Sequence, residues 1–107
     1  MLYRIDTFSV PQAARAEFER YSYEIIAFLR SQPGFIRDDW FERVAGDEAH
    51  DVVTIAVWKD DASIAAAGQA VRAMRSESGS DVEKFLRTSN VTGSRAVYRQ
   101  RRAVAAG

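Results

Sequence analysis

An α+β fold built around one antiparallel sheet is predicted by three features of this 107-residue sequence. Four short segments alternate their side chains with a period of two, and two longer ones repeat apolar residues every three or four positions. These segments follow the order β-α-β-β-α-β, and the chain is too short for a second domain. Residues 1–100 are therefore expected to form a single domain, with residues 101–107 a short basic tail that frays or lies on a partner. A chain of this size buries roughly two thirds of its unfolded surface and can hold a core without staples.

The first segment, Leu2 to Val10, sets Tyr3, Ile5, Thr7 and Ser9 against Leu2, Arg4, Asp6, Phe8 and Val10, which reads as a strand. Pro11 ends it and suits the first turn of a helix, where a missing N–H is harmless. Ala14, Phe18, Tyr21, Ile25 and Phe28 then form one apolar stripe, with Arg15, Glu17, Glu19, Arg20 and Glu24 on the wet side. Gln32-Pro33-Gly34 stops this helix. Phe35 to Val44 forms the second strand, with Phe35, Arg37, Asp39 and Phe41 opposing Ile36, Asp38, Trp40 and Glu42. Residues 45–50 make a polar hairpin connection, and Asp51 to Lys59 is the third strand. Both its faces are apolar, Val52, Thr54, Ala56 and Trp58 on one and Val53, Ile55 and Val57 on the other, so it should be covered on both sides. Asp60 or Asp61 caps a second helix through about Ser76, with Ile64, Ala67, Val71 and Met74 on its inner stripe. Ser80 and Glu83 have capping-box spacing and open a short third helix carrying Val82, Phe85 and Leu86. Val91 to Gln100 closes the domain as the fourth strand.

This order is the ferredoxin-like βαββαβ arrangement, one antiparallel four-stranded sheet with both long helices on one face. If the helices cover the Trp58 face, Val53, Ile55 and Val57 point away from them, and Tyr3, Ile5, Ile36 and Trp40 can join that outer surface. A patch of that size is hard to leave in water. Burying even about 400 Å² at about 25 cal/mol per Å² is worth about 10 kcal/mol before association costs. A homodimer in which two sheets meet face to face as a dimeric α+β barrel is expected; a monomer with its tail folded over the sheet is the alternative.

Composition removes several classes of function. Fifteen basic and fifteen acidic residues cancel, which argues against a nucleic-acid-binding domain. The absence of cysteine excludes disulfides, thiol nucleophiles and thiolate metal sites, and a lone histidine argues against a zinc site from one chain. The longest apolar run, Ile25 to Leu29, is five residues where a membrane span needs ~20. Arg4 and Asp6 interrupt the stretch that a signal peptide would need, so no membrane association and a cytoplasmic location are expected. No Ser-His-Asp set, phosphate-cradling loop or metal-ligand cluster is evident, and no metal is expected.

Three segments carry a resemblance: Phe8-Ser-Val-Pro leading into a helix, Phe28-Leu-Arg-Ser-Gln-Pro-Gly-Phe35, and Asp51-Val-Val-Thr-Ile-Ala-Val-Trp58-Lys-Asp-Asp. In this order they resemble the antibiotic biosynthesis monooxygenase family, small dimeric α+β barrel proteins, over Leu2 to about Tyr98. The resemblance implies a cofactor-independent monooxygenase that oxidises a small phenolic or quinol-type, polyketide-like aromatic with O2. Such a protein binds a flat aromatic, favours its deprotonated form and keeps water from the reactive intermediate. The alternative is a non-catalytic dimeric module that binds a ligand or serves in stress response. Haem degradation is disfavoured: positions 70–75 lack the helical histidine of haem-degrading relatives, and His50 falls in the hairpin.

The expected catalytic residues are Trp58, Thr54 and Asp6. In the family, the tryptophan at this end of the third strand lines the cavity between sheet and helices, where an indole can stack on a substrate and donate one N–H. Its competing role is to fill the core. Thr54 shares the Trp58 face and stands where polyketide-oxidising relatives usually carry asparagine; it keeps a hydroxyl for a substrate oxygen, or simply serves as a β-former. Asp6 stands where haem-degrading relatives carry a functional asparagine. Beside an apolar cavity it is a candidate base toward a phenol; the competing reading pairs it with Arg4 or a basic residue of the fourth strand. Substrate contacts are expected from Phe8, Phe28, Ile64, Ala67, Val71, Arg72 and Phe85, with Arg72 and Arg75 able to reach a carboxylate through a guanidinium fork. Ile64 replaces a tyrosine proposed to move protons in some relatives. Gly68, inside the second helix, should mark either close packing or a space kept open for a ligand.

Overall fold

The computed structural model describes residues 1–79 and 81–101. Along the chain run β1 (Leu2–Ser9), a 3-10 turn (Gln12–Ala14), α1 (Arg15–Leu29), β2 (Phe35–Glu42), β3 (Val52–Trp58), α2 (Asp61–Ser78), α3 (Val82–Thr88) and β4 (Thr92–Tyr98). The strands form one antiparallel sheet in the order β2-β3-β1-β4, the ferredoxin-like α+β fold. The expectation for the tail concerns residues 102–107, which lie outside the described residues.

Local chemistry sets the joints. Pro11, at φ −56°, leads into the 3-10 turn, whose Ala14 N–H donates to the Pro11 carbonyl at 2.9 Å. Asp51 locks the same corner: its carboxylate accepts from Val10 N–H at 3.0 Å and from Arg15 Nη2 at 2.6 Å, while its own N–H donates to the Phe8 carbonyl at 2.9 Å. Gly34 takes φ +85°, and a Cβ there would overlap the Ser63 side chain, so glycine is required for both conformation and space. Asp60 caps α2 by accepting from Ser63 N–H at 2.8 Å and Ser63 Oγ at 2.6 Å, and these bonds hold its carboxyl below the ordinary value. The cap on α3 is Asp81, which accepts from Lys84 N–H at 2.9 Å. The expected partner of Glu83 in a capping box, Ser80, lies outside the described residues.

The core lies entirely on the helix side apart from Val57. One cluster joins Val10, Ala14, Phe18, Val52, Phe85 and Val91; a second joins Leu29, Trp58 and Ala67, flanked by Ile25, Phe35, Ile64 and Val71. The second strand corrects the sequence reading. Its register on β3 slips between Phe35 and Arg37, a bulge that reverses the alternation beyond Ile36. Trp40, expected on the outer surface, instead pairs with Thr54 and packs 5.9 Å from the Phe18 ring under the helices. Phe41 turns outward, 53% exposed. The outer face thus carries half-buried Tyr3, Ile5, Val53 and Ile55, exposed Phe41 and Tyr98, and Arg37 stacked over the Tyr3 ring. Val57 is buried there, flanked in register by Tyr3 and Arg37.

Gly68 shows neither feature expected of it. A Cβ at this position would meet only Arg72 Nη1, at an ordinary 3.7 Å. Gly68→Ala should therefore stabilise the protein by about 0.5–1 kcal/mol through helix propensity alone, read as a rise in urea midpoint without a change in slope.

Candidate functional site

Strand alternation brings charge beneath the helices. The even positions of β1 that face α1 and α3 include Arg4, Asp6 and Phe8, so one wall of an otherwise apolar layer is ionic. The sheet and helices do not close over these groups, and a cavity of about 180 Å³ remains. Phe8, Phe18, Tyr21, Ile25, Leu29, Phe35, Val82, Phe85 and Leu86 supply its apolar wall, and Thr54 and Ala56 its floor on β3. Two of its ring pairs are already in contact, Phe8 with Phe18 edge-on at 5.0 Å and Tyr21 with Phe85 at 5.1 Å. A cavity of about 150 Å³ suffices for benzene, so this one suits a small aromatic. A shallower depression along β4 shares Asp6, Phe8, Leu86 and Arg95 with it.

Arg4, Arg75 and Arg95 line the cavity together with Asp6 and Glu83. Arg95 Nε donates to Asp6 Oδ1 at 2.7 Å, whereas Arg4 Nε stands 3.9 Å from Asp6 Oδ2, beyond hydrogen-bond reach. Burial, then repulsion from Arg95, holds the Arg4 guanidinium below its ordinary value, against the opposite pull of Asp6. Arg75 is likewise lowered by burial and by Arg95, with Glu83 opposing. Its Nε is sealed from solvent and has no hydrogen-bond partner among the described residues.

Of the residues expected from the sequence, the cavity gathers Asp6, Thr54, Phe8, Phe85 and Arg75. Asp6 and Thr54 are directly opposite one another in the β1–β3 register. The other expected residues lie elsewhere. Trp58 is fully buried against Leu29 and Ala67, with Phe35 edge-on at 5.4 Å, and does not line the cavity. Its indole Nε1 is sealed in that core without a hydrogen-bond partner among the described residues. Ala67, Ile64 and Val71 pack in the same cluster, Arg72 is exposed on α2, and Phe28 is outside the lining. His50 sits in the β2–β3 loop, 3.4 Å from Glu48. The residues that sequence reasoning missed as a group are Arg4, Arg95 and Glu83. Their signal was parity: Arg4 shares a face with Asp6, and β4 places Arg95 opposite Asp6.

Comparison with known proteins agrees with this architecture. Residues 1–71 match the family described as antibiotic biosynthesis monooxygenase, and the chain belongs to that family. No curated protein is significantly similar to the chain in sequence. Among solved structures, the chain is similar to SnoaB, a cofactor-independent oxygenase from Streptomyces nogalater. The match has 26% identity and a TM-score of 0.67, and covers 98% of this chain and 97% of that one. It also shares its fold with MhuD, a heme-degrader from Mycobacterium tuberculosis, at 20% identity and a TM-score of 0.67 over 98% and 100% of the two chains. No helix among the described residues is long and apolar enough to cross a membrane. Among these residues no group of three or more His, Cys, Asp or Glu is placed to hold a metal ion.

Because Trp58 is fully enclosed, Trp58→Ala should destabilise the fold by about 3–5 kcal/mol, whatever its part in chemistry. Trp58→Phe removes the unpartnered N–H along with part of the ring and should lose far less, as read by denaturant unfolding. It is therefore the variant in which activity can be compared at near-native stability.

Proposed function

We propose that the chain is a cofactor-independent monooxygenase that oxidises a small phenolic or quinol-type aromatic with O2. The observation that carries this reading is the aromatic-walled cavity with its ionic end, set in a member of the antibiotic biosynthesis monooxygenase family. The likeness to SnoaB lends support. The apolar wall binds the flat ring and excludes water. Thr54 offers its hydroxyl to the ring oxygen, and Asp6 across the strand pair takes the phenolic proton on Oδ2, the oxygen that accepts no hydrogen bond among the described residues. Guanidiniums nearby favour the phenolate that results.

The phenolate gives one electron to O2, and the two radicals combine to form a carbon–oxygen bond. Loss of water then leaves a quinone. One oxygen atom stays on the ring carbon; the other departs as water with the phenolic and ring hydrogens, so no outside reductant is needed. Trp58 acts from outside the cavity in this scheme, holding Phe35 in the wall.

The apolar outer face of the sheet is the proposed homodimer interface, with Phe41 and Tyr98 as its exposed rings. The other reading, a dimeric ligand-binding module without chemistry, shares every feature except the oxygen step.

Oxygen uptake with a panel of naphthols and hydroquinones should match substrate consumption one for one. Thr54→Val, close in volume and lacking the hydroxyl, should lower kcat/KM about 5- to 10-fold, the size of one hydrogen bond of ~1 kcal/mol. Phenols that bind yet draw no oxygen would favour the ligand-binding module. Sedimentation should return twice the mass of the chain, and Phe41→Glu should shift it to one copy; a single-copy mass for the native protein at micromolar concentration would remove the dimer.

A further inference from the structure

The three guanidiniums at the cavity exceed the carboxylates available to them. Asp38 also lines the cavity, but Arg30 holds it from outside through two hydrogen bonds of 2.7 and 2.9 Å; Asp39 is held by Arg37. That leaves Asp6 and Glu83 to face Arg4, Arg75 and Arg95, with one positive charge over. Asp6 is nearest to Arg95 and Arg4, so the shortfall falls on Arg75. Among the described residues, Arg75 has no ion pair within 4.0 Å, and its Nε is sealed without a partner. An unpaired donor on a half-buried cation is unfavourable in the empty protein and is relieved by an anion that brings its own acceptors.

From this arrangement we infer that Arg75, backed by Arg4 and Arg95, forms a carboxylate subsite, and that the aromatic taken by this cavity carries an acid group. The inference rests on the proposed site and narrows its substrate to a hydroxylated aromatic acid. A carboxylate matches the guanidinium fork with two parallel hydrogen bonds, and its single charge balances the one left over. The phenolic proton transfer to Asp6 leaves that balance unchanged, since the charge Asp6 loses reappears on the ring oxygen.

Binding measured by fluorescence without oxygen separates the possibilities, using 6-hydroxy-2-naphthoate, 2-naphthoate and 2-naphthol as probes. Both naphthoates should bind the native protein at least tenfold more tightly than 2-naphthol. Arg75→Gln should bring that ratio to within about threefold by weakening the binding of both naphthoates. Should Arg75→Gln not fold, Arg95→Gln, at a side chain 61% exposed, should lower the ratio at least threefold. Equal binding of naphthoates and naphthol to the native protein, or a preference that survives in the folded variants, overturns the subsite. If 2-naphthol binds as tightly as the hydroxynaphthoate and 2-naphthoate binds more weakly than both, the anion recognised is the phenolate, and the carboxylate assignment falls. A carboxylate preference without oxygen uptake keeps the subsite and removes the oxygenase reading; uptake of oxygen with 2-naphthol and no preference does the reverse.

Discussion

The ion pair between Asp6 and Arg95 sits at the helix-covered face of the sheet, and the rest of the site follows from it. A carboxylate beneath helices is unfavourable unless it is both paired and hydrogen-bonded. The 2.7 Å bond from Arg95 supplies both, but it draws a second cation into the same layer beside Arg4. Charges of that number do not pack against Phe8, Phe18 and Phe85 without a gap. The cavity is thus the physical counterpart of placing ions on the helix-covered face of β1, and a strand with apolar residues at positions 4 and 6 would let the helices settle onto the sheet.

Two kinds of packing therefore share one layer. Toward Trp58, α1 and α2 close tightly, with Ala67 and Leu29 against the indole. Toward Phe8 and Phe85, α1 and α3 stand over the ionic strand positions and leave room. The second helix, rich in alanine, belongs to the closed half; the short third helix belongs to the open one. The shape of the cavity is consequently set by α1 and α3 over β1 and β3, and α2 reaches it through Arg75.

Much of this was legible in the chain. Alternation in β1 and β3 assigned faces correctly, so Asp6, Thr54 and Phe8 could be placed together, and Pro33-Gly34 and Asp60 marked helix ends where they occur. The Arg-paired reading of Asp6 was also available, because β4 had only to run antiparallel to β1. What could not be read was the slip at Ile36, since a bulge has no periodicity of its own, and it sent Trp40 to the opposite side from the one expected. Nor did parity alone say how far along the strand a cavity ends. Thr54 and Trp58 share a face four residues apart, yet one lines space and the other fills it, a distinction made by which helix lies overhead.

That slip places two large neighbouring rings on opposite sides of one strand. Trp40 serves the interior of the domain, and Phe41 lies on the exposed face of the sheet. Regular pairing of Ile36 with Val57 would exchange their faces at a stroke, setting the smaller ring beside Phe18 and the indole outside, so internal order and the outer surface of this chain are tied to a single surplus residue.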